Sequence, residues 1–247
     1  MKKLIAPALV FVANLALAAN PSVIPDKPVA VKQELLFSDD FEGTTPAPAW
    51  HKVVPTFVVE EGHLKGTQTR VKNEPSPNGK SVIRAHAAVH GLEIPTKDSI
   101  VEVKFRLDGA TMMDVEYTDR KYTGSHYGHI CRAQVRPDGV TLIDERDGNM
   151  RSDLYEMKKD PARKKEVNKL LQGRSARFPA KIETGKWHDL VVEVAGDEMR
   201  VTIDGQPAGY LKSSGIAHAT KSKLEFGVAG QDGSFDDLKV WNAAPAQ

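Results

Sequence analysis

Apolar and polar residues alternate along several short segments of the chain, a period of two that is typical of half-buried β-strands. Residues 101–107, Val-Glu-Val-Lys-Phe-Arg-Leu, place four apolar side chains on one face and three charged side chains on the other. Tight-turn signals such as Asp108-Gly109 and Asp204-Gly205 separate these segments. The pattern predicts an all-β, antiparallel β-sandwich rather than a parallel α/β sheet.

The same alternation assigns a polar sheet face that carries candidate chemistry. The run Met-Asp-Val-Glu-Tyr places Asp114 and Glu116 on this face, with the apolar residues in the core. The run Cys-Arg-Ala-Gln-Val-Arg places Arg132 and Arg136 there and makes Cys131 a small buried residue. Two carboxylates on one face can hold one proton between them for general acid work, although a solvated sheet face is the simpler interpretation.

One segment departs from the strand pattern and predicts a short helix. Asp160 and Pro161 supply an N-cap and a first-turn proline, an apolar stripe of valine and leucine follows, and Gly173 can end the helix. We therefore expect one helical insertion over residues 149–177. It either covers one end of the sandwich or forms a lid over a ligand groove.

The first residues predict export. Lys2 and Lys3 precede an apolar run that ends in the small-x-small pattern Ala-Leu-Ala, which predicts a cleaved signal peptide at residues 1–19. The apolar run is shorter than the roughly 20 residues that span a bilayer. We expect a secreted protein, periplasmic or extracellular, with no membrane span.

Composition narrows the class of protein further. Loss of Lys2 and Lys3 changes 34 basic and 33 acidic residues into 32 and 33, which gives no electrostatic bias toward nucleic acid. A single cysteine excludes an internal disulfide, so the core must stabilise the fold. We expect an extended linker at 20–34, one domain at 35–242 and a tail at 243–247.

Both ends of that domain carry a family resemblance. The chain opens on Leu-Leu-Phe-Ser-Asp-Asp-Phe-Glu from Leu35 and closes on Phe-Asp-Asp-Leu-Lys-Val-Trp at Trp241. This pattern of residues in the first and last strands resembles that of the jelly rolls in the concanavalin A-like lectin and glucanase superfamily. The late hairpin from Gly185 is similar to laminin-G-like and 3-keto-disaccharide hydrolase-like domains. The resemblance implies a jelly-roll fold and a saccharide partner, and it is specific for fold rather than activity.

Family 16 glycoside hydrolases, which share this fold, use a strand motif of three acidic residues at alternate positions. When the motif is aligned with residues 112–116, Asp114 takes the position of the assisting aspartate and Glu116 that of the acid/base. The nucleophile position is occupied by Met112. Methionine cannot form the glycosyl ester. The resemblance therefore argues against retaining hydrolysis of the family 16 type.

A loop rich in tyrosine and histidine follows the acidic pair. Tyr122 and Tyr127 can stack on a sugar ring, and His126 can move a proton. Arg132 and Arg136 would bind substrate or stabilise a developing enolate, which would suit β-elimination as well as hydrolysis. Packed or exposed residues without a role are the alternative.

Metal binding is open at two places. His126 and His129 have a spacing seen in some zinc sites, but no third ligand is near in sequence. Asp40 and Asp236 would come together if the first and last strands pair, and many relatives of this fold carry a structural calcium. We expect no required cofactor, with calcium at those two aspartates as the alternative.

The sequence thus favours a secreted carbohydrate-active protein that cleaves a glycosidic bond by hydrolysis or β-elimination. A non-catalytic carbohydrate-binding module and a structural cell-envelope protein are the alternatives. Convergence of Asp114, Glu116, Arg132 and His126 in one pocket would favour the enzyme. A shallow face with exposed aromatic residues would favour the module.

Overall fold

The computed structural model describes residues 23–247, which form two large antiparallel sheets packed face to face. The predicted signal peptide lies outside this range. Within it the strands are β1 (Ala30–Asp39), β2 (Trp50–Val54), β3 (Phe57–Glu60), β4 (His63–Thr67), β5 (Glu74–Pro75), β6 (Val82–Ile83), β7 (Ala88–Thr96), β8 (Ser99–Asp108), β9 (Met112–Thr118), β10 (His129–Arg136), β11 (Gly139–Asp144), β12 (Ser175–Pro179), β13 (Trp187–Ala195), β14 (Glu198–Ile203), β15 (Gln206–Lys212), β16 (Lys221–Ala229) and β17 (Asp232–Pro245).

The two sheets account for nearly all of these strands. Sheet A has the order β15-β14-β13-β8-β17-β4-β3, with β1 also paired to β17. Sheet B has the order β12-β11-β10-β9-β16-β7-β2, and β5 and β6 pair only with each other. The predicted all-β sandwich with antiparallel strands is confirmed.

The core lies between the sheets and follows the predicted alternation. The inward residues of β8, such as Phe105 and Leu107, are fully buried, and Tyr117 of β9 is buried opposite them. In the late hairpin, Val192 pairs with Val201 and both are buried. Each large apolar side chain buried in this way stabilises the fold by about 1.5–3 kcal/mol.

The insertion contains more structure than the sequence predicted. The expected helix is present as α2 (Lys164–Leu170), and Asp160 accepts a hydrogen bond from the Ala162 amide (2.9 Å) at the start of that segment. A second helix, α1 (Ser152–Met157), precedes it. The insertion is also shorter than 149–177, because β12 resumes the sheet at Ser175. No helix within residues 23–247 has the length and apolar character needed to cross a membrane.

The ends of the described chain are more ordered than expected. Strand β1 begins at Ala30, inside the segment predicted as a linker, and Ala30 pairs with Pro245 in the segment predicted as a tail. Most side chains of β1 are exposed, so the strand is held mainly by backbone hydrogen bonds to β17. Hydrophobic periodicity therefore gave no signal for its first residues.

Candidate functional site

The outer face of sheet B carries a compact set of charged side chains. Asp114 and Glu116 project from β9 on this face, as predicted, but each is only 6% exposed. The interpretation of these residues as a solvated sheet face is therefore wrong. Neighbouring side chains from β10 and β16 and from the start of the insertion bury them.

Arg132 of β10 lies at the centre of this set and contacts three carboxylates. Its Nη1 donates to Asp114 Oδ2 (3.3 Å), its Nη2 lies 2.8 Å from Glu116 Oε1, and its Nε lies 2.7 Å from Glu145 Oε1. Glu145 comes from a π-helical turn (Glu145–Asn149) that opens the insertion. Burial lowers the pKa of Arg132, but the three carboxylates outweigh this effect and raise it, so the guanidinium stays charged.

Strand β16 adds two charged residues that the sequence argument missed. Glu225 is the cross-strand partner of Glu116, and its side chain contacts the Lys223 ammonium. His129 of β10 contacts Glu116 through Nδ1. One polar atom from each of Glu116, His129 and Glu225 lies within 4.8 Å of the other two. We call Asp114, Glu116, His129, Arg132, Glu145, Lys223 and Glu225 the charged cluster.

The carboxylates of the cluster differ in how strongly they hold a proton. Burial raises the pKa of Asp114 to about 6, although Arg132 partly opposes this. Burial also acts on Glu116, but Arg132 and His129 outweigh it and lower the pKa of that carboxyl. Burial raises the pKa of Glu145, with Arg132 opposing. Burial lowers the pKa of His129, but Glu116 more than compensates and raises it.

Two glycines shape the face around the cluster. A Cβ at Gly227 of β16 would lie 2.2 Å from Asp114 Oδ1, and a Cβ at Gly91 of β7 would lie 2.3 Å from the His51 ring. Only glycine therefore lets the Asp114 carboxylate lie over β16 and the His51 ring lie over β7. His51 thereby reaches the edge of the cluster, where burial and Lys223 lower its pKa.

Aromatic side chains form a stack beside the cluster. The His126 ring stacks on Tyr155 of α1 (centroids 3.8 Å apart) and meets Tyr127 edge-on at 4.3 Å. Tyr127 is 84% exposed and has a positive φ of 49°. The His126 ring is 6.4 Å from that of His129, so His126 borders the cluster and is not a member of it.

The remaining predicted binding residues lie farther from the carboxylates. Tyr122 is half-buried against His218, with ring centroids 4.7 Å apart. Arg136 is the last residue of β10. It lies four residues after Arg132, on the same polar face. Of the predicted site residues, the structure therefore brings Asp114, Glu116 and Arg132 together.

The two aspartates predicted as calcium ligands each accept a hydrogen bond from a nearby backbone amide. Strands β1 and β17 pair as expected, but Asp40 is exposed and accepts a hydrogen bond from the Glu42 amide (3.3 Å). Asp236 accepts one from the Asp237 amide (2.7 Å). Each carboxylate thus serves its own local turn.

A metal would meet competition in the cluster as well. In residues 23–247, Glu116, His129 and Glu225 are the group whose polar atoms are close enough to share an ion. Arg132 already contacts Glu116, and Lys223 already contacts Glu225. Because these cations neutralise the carboxylates and would repel a divalent ion, we assign no metal to them.

Two cavities of the described residues lie away from the charged cluster. Cavities of about 350 and 560 Å³ lie elsewhere, the first beside His188 and Ile24 and the second beside Glu193 and Lys27. Neither is lined by a residue of the charged cluster.

Comparison with known proteins identifies the fold. A laminin-G family model, described as the concanavalin A-like lectin/glucanases superfamily, matches residues 135–247. The endo-1,3-β-glucanase (laminarinase) catalytic domain from Thermotoga petrophila RKU-1 superposes with a TM-score of 0.54 at 14% identity, covering 86% of this chain and 99% of that one. The endo-β-1,3-glucanase from Pyrococcus furiosus has a TM-score of 0.55 at 9% identity, with 89% and 100% covered.

A sialidase also shares the fold, with a TM-score of 0.53 at 12% identity. The match covers 87% of this chain, which spans only 18% of the length of that sialidase. No curated protein matches the sequence. The identities to solved structures are low enough that they indicate a shared fold alone. The family model, which matches the C-terminal part of the chain, is described by the same superfamily name that the sequence resemblance suggested.

Proposed function

We propose that the protein is a carbohydrate-active enzyme that hydrolyses a glycosidic bond on the outer face of sheet B. The observation that supports this proposal is the pair Asp114 and Glu116, which share one strand face but have pKa values moved in opposite directions. In glycosidases, two neighbouring carboxyl groups have different surroundings and therefore different pKa values. One group can then be protonated while the other is ionised at the same pH.

The separation assigns roles that differ from the sequence expectation. Asp114 keeps its proton to about pH 6 and is the general acid that protonates the leaving oxygen. Glu116, which the sequence suggested as the acid, stays ionised beside Arg132 and His129. Hydrolysis and β-elimination both release an oxygen that needs a proton, and we propose hydrolysis because an acid beside a carboxylate that stays ionised is the arrangement of glycosidases.

The surroundings of the pair fit a saccharide. The stack of His126, Tyr127 and Tyr155 offers an aromatic surface beside the cluster, where a sugar ring can pack. The two glucanases that share the fold act on polysaccharides, which is consistent with a polymeric substrate lying across the sheet. Fold alone does not select a linkage.

The test is product formation by the purified protein on a panel of polysaccharides and 3-keto disaccharides, with and without calcium, followed by mass spectrometry. We expect Asp114→Asn and Glu116→Gln to lose about 100- to 10,000-fold in rate. Asp189→Asn, an exposed aspartate on sheet A, is the matched control and should keep full activity. Turnover that survives both cluster variants would contradict the proposal.

A second candidate function, a binding module without catalysis, is favoured by one observation. Tyr127 is 84% exposed beside the charged cluster, as expected of a residue that stacks on a sugar. In this case calorimetry would detect polysaccharide binding with no product, and Tyr127→Ala would abolish it. Asp114→Asn would then leave the affinity nearly unchanged.

We also propose that the protein is exported, as the sequence of residues 1–19 predicts. Expression of the full-length gene product should yield a periplasmic or extracellular form that lacks these residues. N-terminal sequencing or intact mass of that form is the measurement. An intact N-terminus in the cytoplasmic fraction would contradict export.

A further inference from the structure

Strand β9 lacks a third acidic residue, because Met112 occupies the position where family 16 enzymes have their nucleophile. The neighbouring strand β16 supplies a carboxylate instead. We infer that Glu225 is the third acidic member of the site and that, with Glu116, it holds the water that attacks the sugar in a single displacement with inversion. This inference rests on the proposed glycosidase function.

The first step of the argument is the position of the acid relative to Glu225. The Asp114 carboxylate lies over Gly227, because only a hydrogen occupies that side of β16. Glu225 projects from the same strand two residues before Gly227, and two residues span about 6.6 Å between Cα atoms along a strand. Inverting glycosidases separate their two carboxyl groups by about 6.5–9.5 Å to leave room for water, whereas retaining enzymes use about 5–5.5 Å.

The second step is the distance between the two carboxylates that would hold the water. Polar atoms of Glu116 and Glu225 lie within 4.8 Å of each other. One water with hydrogen bonds of about 2.7–2.8 Å to both oxygens fits this span. A water that donates both protons to carboxylates presents its lone pairs away from the sheet, toward a sugar that lies across the face.

The third step is charge. Lys223 contacts Glu225, and Arg132 contacts Glu116, so each of these neighbouring carboxylates has a cation of its own. Glu225 is 7% exposed, a burial that matches the 6% of Asp114 and of Glu116. Lys223 is therefore a positioning residue for Glu225, as Arg132 is for Glu116.

The proposed hydrolysis needs only the saccharide and one water molecule as reactants. The water oxygen bonds to the anomeric carbon as the bond from that carbon to the glycosidic oxygen breaks. Asp114 gives its proton to the leaving oxygen, and one water proton passes to Glu225. Return of a proton from Glu225 to Asp114 through solvent restores the starting state.

The first measurement is the anomeric configuration of the initial product, followed by proton NMR on a cleaved oligosaccharide during the first turnovers. Inversion is expected. Retention would overturn the role of Glu225 while leaving the glycosidase proposal intact. Absence of cleavage on every saccharide would overturn both.

Variants then assign the residue. Glu225→Gln keeps the size of the side chain and should lower the rate about 100-fold or more, while thermal unfolding shows that the fold is kept. Lys223→Met should lower kcat more than it raises KM, because Glu225 loses the cation that holds its carboxylate in place. The matched control is Glu102→Gln on sheet A, with an unchanged rate. A Glu225→Gln enzyme with normal rate and stereochemistry would refute the inference.

Discussion

The outer faces of the two sheets each bury a pair of opposite charges, and the two sites differ in how completely they are satisfied. On sheet A, Glu193 of β13 and Arg200 of β14 are cross-strand partners, 4% and 3% exposed, with 2.7 Å between Oε1 and Nη1. On sheet B, Arg132 faces more carboxylate groups than it can neutralise. The comparison separates an ion pair that is satisfied within the chain from the site that we propose to be catalytic.

The pair on sheet A has a partner for nearly every polar atom. Glu193 Oε2 accepts the Val29 amide (2.7 Å), and Arg200 donates to the carbonyls of Pro25 (2.9 Å) and Asp26 (3.1 Å). The chain's own N-terminal segment thus covers this face and completes its hydrogen bonds.

The cluster on sheet B retains unsatisfied atoms. Among the described residues, Glu145 Oε2 accepts no hydrogen bond, and Glu116 Oε1 receives none of good geometry although two cationic groups lie close to it. Unpaired buried carboxylate oxygens cost stability, so a fold keeps them where another requirement outweighs that cost. A substrate and a bound water would provide the missing hydrogen bonds.

The largest effect is expected where the satisfied pair is broken. Arg200→Ala leaves Glu193 buried without its cation and should lower the free energy of unfolding by about 3–5 kcal/mol, as measured by urea denaturation. Glycosidase activity at a temperature where the variant is folded should not change. A loss below about 1 kcal/mol would show that the pair is not the anchor of the N-terminal segment.

A double replacement sharpens this result. Glu193→Leu combined with Arg200→Met removes both charges and should recover most of the loss, since apolar pairs of similar volume often replace buried ion pairs without cost. If the double variant is as unstable as Arg200→Ala, the contacts to Pro25 and Asp26 carry the stability instead of the charge balance.

His90 tests whether an unpaired buried group by itself marks a functional site. Its ring lies between Trp50 and Phe57, it is 2% exposed, and neither ring nitrogen has a hydrogen bond within the described part of the chain. Burial, with help from His51 and Lys52, lowers its pKa to about 4. Enclosed by core side chains, it cannot meet a substrate.

The consequence for stability follows from the direction of that shift. Between pH 6.5 and about 4 the unfolded chain binds the proton and the folded chain does not, so the free energy of unfolding decreases as the pH falls. The loss attributable to His90 should reach about 3 kcal/mol near pH 4. His90→Phe should remove this part of the acid sensitivity without changing activity, and an unchanged pH profile would disprove the assignment.

Asp114 should show the opposite dependence on pH. Its pKa is raised to about 6, so between pH 4 and 6 the folded chain binds the proton more strongly, and stability decreases as the pH rises. Asp114→Asn resembles the protonated form and should gain up to about 3 kcal/mol over the wild type above pH 6, while losing activity. Parallel stability curves for the two proteins from pH 4 to 7 would contradict the raised pKa.

Asp114 should also set the upper pH limit of the proposed activity. The rate on any cleaved saccharide should fall as the pH rises through about 6, because Asp114 loses the proton that it must donate. A pH–rate profile of kcat/KM is the measurement. An activity that stays constant to pH 8 would move the acid role to another group of the cluster.

The alternation of apolar and polar residues along a strand is a local property, so the sequence alone predicted much of the polar face of sheet B. It placed Asp114 and Glu116 on one face and assigned the strands around them. The register between distant strands is not local, so Glu225 could not be placed beside Glu116, although Leu224 and Phe226 alternate around it. Helix α1, which begins at Ser152, has no side-chain N-cap, so the sequence contained no helix-start pattern that would predict it.

The smallest expected effect provides the baseline for both faces. Lys32 of β1 and Glu102 of β8 form an ion pair at 2.6 Å on sheet A, but their side chains are 44% and 29% exposed. Solvent screens such a pair, so Lys32→Ala should change the free energy of unfolding by less than about 1 kcal/mol, and by less still in high salt. A loss as large as that of Arg200→Ala would mean that burial does not distinguish the two pairs, and the contrast between a satisfied anchor and an unsatisfied active site would lose its physical basis.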